Sequence, residues 1–468
     1  MDHNTIVQAL IDAGLILIIA FAPCAFGSVH IWAYTLIELI VFSLLMLWIV
    51  YHLIFPKKSL IKKDQKELIP VYAALVLFIV TVCVQIIPLP PIILRFLSPK
   101  AYEIYCHAIP GYEKTALSRS LSIYPYASKI SLAKFISYAG IFFLITHEIR
   151  EHTRIKRIIG VLMLIGFFEA LYGLYGYFSR NYSIFGFSKA YCIGPATGTY
   201  VNRNHFAGFL GMTVFVCIGY LLGKVPIRSR DRYGYTQRII DFLNTAKASE
   251  SGLVLIIIIT MILGIIFSLS RMGVFSFVLS ILLLAFITLV GRQKKFITII
   301  FFIFSLALIT SLWYGLNPLV ERYYRSEDSF LDRALIWRYT SHLIKDFPLM
   351  GAGLGTYETV FQQYKPDTFT YRLSRYDHAH NDYLELIAEV GLSGSIPLFL
   401  GSVYFLLLLL KKWAKSNNAF SKGMSLGGIG ASFYMSLHSL TDFNLYIPAN
   451  AMIFFIIMAL TYCSVAEV

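Results

Sequence analysis

Two histidines and an aspartate alternate in the segment DHAHND, at His378, His380 and Asp382. Histidine is the side chain best suited to act as a general base near neutral pH. Alternate residues of an extended strand point the same way, and these side chains also bind metal ions, so a metal site is the competing interpretation. The spacing lacks the specificity of an HExxH motif. We therefore favour His380 as a base, and we expect the loss of His378 to have a mild effect.

The residues that follow predict where this base lies. Asp382 and Glu385 have the spacing of a helix capping box, which predicts a helix that begins near Tyr383. The apolar run that comes next is long enough to span a bilayer. His380 then lies just before the first turn of a membrane helix, at the boundary between lipid and water.

Arginines at two other places have side chains that can bind an anion. Arg271 ends one apolar run and begins the next. Ionisable residues at membrane depth are functional candidates by default, and the alternative is an interfacial anchor that snorkels to lipid head groups. The segment LDRALIWRYT places Arg333 and Trp337 four residues apart on a short amphipathic helix, with Arg338 next. Such a helix is either purely structural or offers a guanidinium to a diphosphate, whose oxygens suit the bidentate geometry of arginine.

Two further segments have plainer interpretations that we favour. Arg203 and His205 begin a predicted helix in VNRNHFAG, where free N–H groups favour anions, but asparagine capping and an interfacial arginine explain the pattern as well. The segment FPLMGAGLGTY has the glycines of a phosphate-binding loop. It lacks the GK[ST] ending of that loop, so we expect a compact turn.

The composition decides which elements must position these residues. The chain has 468 residues, of which 57% are hydrophobic and only 14% are charged, against about 25% charged in soluble domains. Apolar runs near the 20 residues that a spanning helix needs recur along the chain, and the alternation of a membrane barrel is absent from the sequence. We predict an all-α membrane protein of about 12 transmembrane helices. The predicted spans are 6–26, 31–55, 68–90, 128–147, 156–178, 205–223, 252–270, 273–291, 296–316, 383–410, 424–441 and 449–466.

Basic clusters predict the sidedness of these spans. They follow spans two, four, six, eight and ten, which marks those loops as cytoplasmic by the positive-inside rule. Both termini are then cytoplasmic, and the long polar loop at 317–382 faces the other side. This loop is rich in aromatic residues, which disordered segments lack, so we expect it to fold and to contain short helices. The amphipathic stretch at about 91–128 is expected to lie along the membrane interface.

The charge and the cysteines exclude other classes of protein. The formal net charge is +14, but the basic residues lie in short clusters between apolar runs, which indicates topology rather than nucleic-acid binding. The six cysteines fall mostly inside apolar runs and show neither a CxxC motif nor zinc spacing. Cys106 and Cys192 both lie on the non-cytoplasmic side in this topology, so a disulfide between them stays open but is not favoured.

The segment HNDYLELIAEVGLSG resembles the pattern of O-antigen ligases and the related O-antigen polymerases. That pattern is a histidine, a small amide or hydroxyl residue, and two glycines, here His380, Asn381, Gly391 and Gly394. The resemblance extends upstream to the SLSR sequence that ends at Arg271, to the R-x-x-x-W pair and to the glycine-rich turn. It covers roughly residues 190–440, and the order and spacing of the motifs make it specific.

The resemblance implies a metal-independent glycosyltransferase of GT-C-like architecture, without a cofactor, at the periplasmic face of the bacterial inner membrane. Its donor would be an undecaprenyl-diphosphate-linked glycan, and its acceptor a hydroxyl of lipid A-core, a glycan or a protein. His380 would be the catalytic base, and Arg271 and Arg333 would bind the donor diphosphate. The supporting residues would be Arg203, Arg338, Asn381 and Asp382.

This interpretation divides the chain into three parts. Residues 1–178 hold transmembrane helices 1–5, residues 179–441 form the ligase-like core with the periplasmic loop 317–382, and residues 442–468 hold the last helix. Polymerisation of repeat units and transfer to protein share the same donor chemistry and remain alternatives to ligation. A lipid-linked-sugar transporter is less favoured, because the sequence shows neither internal repeats nor charges at mid-membrane.

Overall fold

The apolar runs form helices because a membrane-spanning backbone must pair its own polar groups. The computed structural model describes residues 3–56, 63–189, 191–224, 246–291, 300–301, 305, 327–365 and 376–466. The helices within these ranges are α1 (His3–Cys24), α2 (Ile31–Ile54), α3 (Ile69–Ile86), α4 (Pro91–Leu97), α5 (Pro99–Ala108), α6 (Pro125–Glu148), α7 (His152–Ser179), α8 (Arg203–Gly223), α9 (Ala246–Phe267), α10 (Arg271–Val290), α11 (Glu327–Asp346), α12 (Tyr357–Phe361), α13 (Asp382–Lys415), α14 (Ala419–His438) and α15 (Pro448–Val465).

The β structure within the described ranges is small. Strands β1 (Ser183–Ile184) and β2 (Phe187–Ser188) pair antiparallel, with Ser183 opposite Ser188. This hairpin lies in the connection between α7 and α8. The remaining elements are short 3₁₀ turns, of which the one at Asn444–Tyr446 borders the site described below.

Ten helices in the described ranges are long and apolar enough to cross a membrane, where the sequence predicted about twelve spans. The ten match predicted spans in order, with ends that differ by a few residues. The predicted span at 296–316 lies outside the described residues except for 300–301 and 305. The predicted span at 424–441 corresponds to helix α14. This helix is not among the ten, because its many glycines and serines lower its mean hydropathy. The chain is therefore a multi-pass, all-helical membrane protein.

Helix α14 is nonetheless central, because it packs directly on α8 through glycines. A Cβ added to Gly219 of α8 would lie 2.6 Å from the carbonyl oxygen of Gly423 and 2.8 Å from the Cα of Gly427. Small residues that let two backbones approach are typical of helix contacts in membranes. The two helices run antiparallel, so their packing also brings the start of α8 beside the end of α14. The site lies at that end.

A hydrophobic cluster separate from the main core holds the polar loop against the bundle. Leu94 and Leu121, from the connection between α3 and α6, are buried against Phe347, Tyr357 and Phe361. The expected short helices and folded loop are thus confirmed for the described part of 317–382. That the stretch at about 91–128 lies along the membrane interface stays a prediction; helix α4 buries Leu94. Its outer side chains, Ile92 and Phe96, are more than four-fifths exposed.

The glycine-rich segment 350–355 is a compact turn, as predicted, and it docks on a break in α13. The break is at Gly391, with φ +61° and ψ −167°. It frees two carbonyls of α13, so that the N–H of Ala352 donates to Ala388 O and the N–H of Gly353 donates to Glu389 O, both at 2.9 Å. The buried Gln85 side chain also donates to Glu389 O and accepts from Leu354 N. The turn thereby joins the polar loop rigidly to a membrane helix.

A substitution at Gly351 would test how closely the turn docks on α13. Its φ is +69°, and a Cβ there would overlap the carbonyl of Glu389. Gly351→Ala should lower the free energy of unfolding by at least the roughly 1–3 kcal/mol that a strained backbone costs, measured by thermal unfolding in detergent. The matched control is Gly160→Ala, in the middle of α7, where nothing lies within 4 Å of the added Cβ. That change should stabilise the helix by about 0.5–1 kcal/mol. Equal melting temperatures for the two variants would contradict the close docking.

Candidate active site

The site lies where α8 and α13 begin and α14 ends. The N–H of Asp382, the first residue of α13, donates to Ser439 O at 3.0 Å and to Asp442 O at 3.2 Å. The side chain of Asp382 accepts from Leu445 N at 3.1 Å. From α8, the Asn204 amide donates to the Asp442 carboxylate. The connection from 439 to 447 is therefore held by both helix starts.

The start of α13 differs by one residue from the capping box that the sequence predicted. Asn381 is the cap, and its side-chain oxygen accepts from Tyr383 N and Leu384 N, both at 3.0 Å. Asp382 is the first helical residue, since its N–H is already paired with the 439–442 backbone. Glu385 turns back to His378 and Ala379 rather than to the cap. The capping-box prediction was wrong, although the helix start was correct to within one residue.

His380 lies just before α13, as expected, in a left-handed conformation with φ +50°. Its side chain is one-third exposed, and Nδ1 is 3.8 Å from Asp442 Oδ1. That distance is an ion-pair distance rather than a hydrogen bond, and the described residues offer Nδ1 no hydrogen-bond partner. The ring lies edge-on to Phe443, with 5.0 Å between centroids. An accessible imidazole beside a carboxylate has the arrangement that a general base needs.

His378 occupies a different environment, two residues earlier. Its Nδ1 lies 2.6 Å from Glu385 Oε1, and its ring stacks on Phe443 with 3.9 Å between centroids. Burial lowers the pKa of this imidazole, but the charges of Glu385, Glu389 and Asp377 outweigh burial and raise the pKa above its ordinary value. The His378 ring is therefore engaged by a buried carboxylate, whereas the His380 ring is partly exposed.

Asp442 and Phe443 are site residues that the sequence prediction missed. Asp442 is 1% exposed, and its Oδ1 lies between His380 and His205 Nε2, which is 3.6 Å away. Burial raises its pKa, but the two imidazoles outweigh burial and hold the pKa well below its ordinary range. The available signal was an aspartate at the predicted end of a span, because ionisable residues near membrane depth are candidates by default.

Arg333 reaches this site through the helix that carries it. One turn along α11, Trp337 Nε1 donates to the carbonyl of Ala379 at 3.0 Å, so the helix is anchored beside His380. The Arg333 guanidinium lies near enough to interact electrostatically with His438, the last residue of α14. The predicted helix with Arg333 and Trp337 on one face is confirmed. Arg338 lies on the same helix with an exposed side chain.

Arg271 and Arg203 are at the same end of the bundle. Arg271 is the first residue of α10, and a Cβ on nearby Gly273 would lie 2.9 Å from the Cβ of Ala207, in the first turns of α8. Arg203 is the first residue of α8, which Asn202 caps by accepting from Asn204 N, as the sequence indicated. The Nε of Arg203 is buried with no hydrogen-bond partner among the described residues. Arg203 and Arg271 thus begin two neighbouring helices at the same end of the bundle.

The alternative of a metal site at His378, His380 and Asp382 finds no support in the geometry. His378 faces Glu385, His380 faces Asp442 and Asp382 faces Leu445 N. Among the residues that the structure describes, no group of three or more histidine, cysteine, aspartate and glutamate side chains is placed to hold a metal ion. None of the six cysteines forms a disulfide, so Cys106 and Cys192 are not joined.

The charge of Asp442 leads to a prediction for stability. A carboxyl with a depressed pKa stabilises the fold above its ordinary pKa of about 4, and this contribution is lost as the pH falls through the lower folded-state pKa. Asp442→Asn should lower the free energy of unfolding by roughly 1.5–3 kcal/mol at neutral pH. The difference in melting temperature between wild type and variant should begin to shrink below about pH 4 and should vanish only when the pH has fallen through the lower folded-state pKa. A difference that stays constant into acid would show that the charge does not matter.

Comparison with known proteins gives one match. Residues 256–399, just under a third of the chain, match the family model Wzy_C, O-Antigen ligase. No curated protein matches the chain. The matched range contains Arg271, Arg333 and His380 and ends within α13, whereas Arg203 and Asp442 lie outside it. Members of this family are membrane enzymes of ligase or polymerase type in surface-polysaccharide biosynthesis, and their substrates are lipid-linked glycans. Residues 256–399 of this multi-pass membrane protein are therefore similar to the O-antigen ligase domain of the Wzy_C family.

Proposed function

We propose that the protein transfers a glycan from undecaprenyl diphosphate to an acceptor hydroxyl at the periplasmic face of the inner membrane. The observation that carries this proposal is the Trp337–Ala379 hydrogen bond, because it ties the helix of Arg333 to the backbone next to His380. A base and an anion-binding cation then stand on adjoining elements. This is the pairing that glycosyl transfer from a diphosphate requires.

The chemical step assigns the proton to His380. Its imidazole takes the proton of the acceptor hydroxyl as the acceptor oxygen bonds to the anomeric carbon of the donor. The bond from that carbon to the diphosphate oxygen breaks, and the electron pair leaves with the diphosphate. Asp442, 3.8 Å from Nδ1, stabilises the imidazolium that forms.

Arg271 and Arg333 are proposed to bind the diphosphate. Guanidinium groups grip phosphate oxygens in bidentate fashion and stabilise the charge that develops on the leaving group. Arginines in this place can take the role that a divalent metal has in other transferases, so we propose a metal-independent reaction. Arg203 and Arg338 are supporting cations, while Asn381 and Asp382 hold the start of α13 beside the base.

The proposed acceptor is lipid A-core, which makes the reaction a ligation in lipopolysaccharide or surface-polysaccharide biosynthesis. Polymerisation of repeat units and transfer to a protein hydroxyl use the same donor, base and arginines, and they are the alternative functions. Transport of a lipid-linked sugar is less favoured, because it gives no reason for a base beside anion-binding groups. Purified protein supplied with the same donor and each acceptor in turn distinguishes these reactions.

Replacement of the base and replacement of the arginines should have different effects on turnover and on donor binding. His380→Ala should lower turnover by about the 10²–10⁴-fold typical of a lost general base and leave binding of the lipid-linked donor nearly unchanged. Arg271→Ala and Arg333→Ala should weaken donor binding as well. Lysine at either position should rescue poorly, because it does not reproduce the bidentate fork. The measurements are glycan transfer and donor binding by purified protein.

Two controls make this experiment decisive. The assay is repeated in EDTA, where activity should persist; a strong loss that magnesium or zinc restores would contradict the metal-independent mechanism. His107, on the exposed end of α5, is the control histidine, and His107→Ala should transfer glycan normally. A folded His380→Ala variant with normal turnover would show that the wrong histidine has been assigned.

The side of the membrane on which the 317–382 loop lies is predicted independently of the proposed reaction. The basic clusters place the 317–382 loop in the periplasm. A cysteine introduced at Gln363, on a background without native cysteines, should therefore react with an impermeant thiol reagent added outside spheroplasts. Labelling that required access to the cytoplasm would overturn both the topology and the proposed function.

A further inference from the structure

The backbone that leads into His380 is held from two helices at once. The carboxylate of Glu385, in the first turn of α13, lies 2.6 Å from His378 Nδ1 with one oxygen and accepts from Ala379 N at 2.7 Å with the other. The carbonyl of Ala379 accepts from Trp337 of α11 at 3.0 Å. Both polar groups of the Ala379 backbone are thus bound to side chains, and Glu385 itself is only 1% exposed.

The conformation of His380 requires such restraint. Its φ of +50° is in the left-handed region, which a non-glycine residue keeps only where the surrounding structure imposes it. Its own ring supplies little restraint, since Nδ1 is 3.8 Å from Asp442 and has no hydrogen-bond partner among the described residues. The direction of the imidazole is therefore set through the preceding two residues.

Phe443 connects the two histidines. The His378 ring stacks on its face at 3.9 Å, and the His380 ring meets the same side chain edge-on at 5.0 Å. The neighbouring Asp442 is the carboxylate that faces His380. A shift of His378 away from Glu385 would therefore move the surface on which the His380 ring rests.

We propose that Glu385 is a positioning residue for His380, and that it acts through the His378 ring and the Ala379 N–H. This inference rests on the proposed function, in which His380 is the base. It reverses the mild role that the sequence predicted for His378, because that residue transmits the restraint. Glu385 itself does not contact substrate.

The pair should make positioning depend on pH. His378 is faced by Glu385 and Glu389 of α13, by Asp377 on its own segment, by Tyr446 of the 439–447 connection and by His205 of α8. The carboxylates raise its pKa, so the ion pair is complete below the ordinary histidine pKa of about 6.5 and is lost as the pH rises through the raised value. A base must be unprotonated, so turnover also falls in acid. Turnover should also decline at alkaline pH as the ion pair is lost, and His378 controls this decline.

The test uses Glu385→Gln and His378→Gln in the full-length protein, with Glu103→Gln and His107→Gln of α5 as exposed controls. The first measurement is hydrogen exchange of a peptide covering residues 376–382. The second is kcat and KM against pH for transfer from an undecaprenyl-diphosphate glycan to lipopolysaccharide core. We expect faster exchange and a kcat that is about 10- to 100-fold lower in both site variants, the loss that a misplacement near 1 Å produces. The donor KM should stay within about twofold of wild type, as expected when chemistry rather than binding is impaired, and the alkaline decline should disappear.

Three outcomes would overturn the inference. The first is exchange at 376–382 that matches the controls. The second is normal kcat in a site variant while His380→Ala is inactive, because the base would then be essential but not positioned by this pair. The third is an alkaline decline that persists in both variants. Failure of the proposed function is distinct from these outcomes, since it appears as full activity in His380→Ala, while hydrogen exchange still reports whether the restraint exists. If Glu385→Gln does not fold, His378→Gln is tested by the same two measurements.

Discussion

Helix α13 leaves backbone groups unpaired at its start and at Gly391, and the site depends on how these groups are satisfied. In lipid or in a packed bundle, an unpaired N–H or carbonyl is costly. At the start, Asn381 caps two N–H groups and the 439–442 backbone takes a third. At the break, the glycine-rich turn supplies the missing donors. One helix thus fixes both the connection that carries Asp442 and the turn that anchors the polar loop.

The glycines of the chain follow from the same constraint. Gly351 and Gly391 both have positive φ, and each lies against the backbone of the other's segment. A side chain at either position would separate the turn from the helix. The family resemblance includes this turn, and its physical purpose here is docking rather than phosphate binding. The glycine-rich sequence therefore has a structural role, whereas the anion-binding role is proposed for arginines.

The two histidines show how environment separates chemically identical side chains. His378 is stacked on Phe443 and paired with a buried carboxylate, whose charge raises the pKa of the imidazole. His380 is partly exposed and faces Asp442 at a longer distance. Charge and solvent access, rather than residue type, separate the role proposed for His378 from the role proposed for His380. The same reasoning explains why the pair lies next to a helix start, where side chains from three elements meet.

The sequence by itself determined the class of the protein, most of its spans, the helix starts next to His380 and Arg271, and a helix that carries Arg333. Hydropathy, basic clusters and helix periodicity are local properties. It also predicted the compact turn and the folded loop. Only the tertiary structure decided the partners: Asp442 and Phe443 are about sixty residues from His380 in sequence and meet it solely because α13 and α14 pack side by side. Glu385 had the spacing of a capping residue, yet its carboxylate turns to His378 because the 439–442 backbone already satisfies the N–H of Asp382. Local sequence specifies helices and candidate side chains, whereas the pairing of buried charges depends on which distant segments the fold brings within hydrogen-bonding distance.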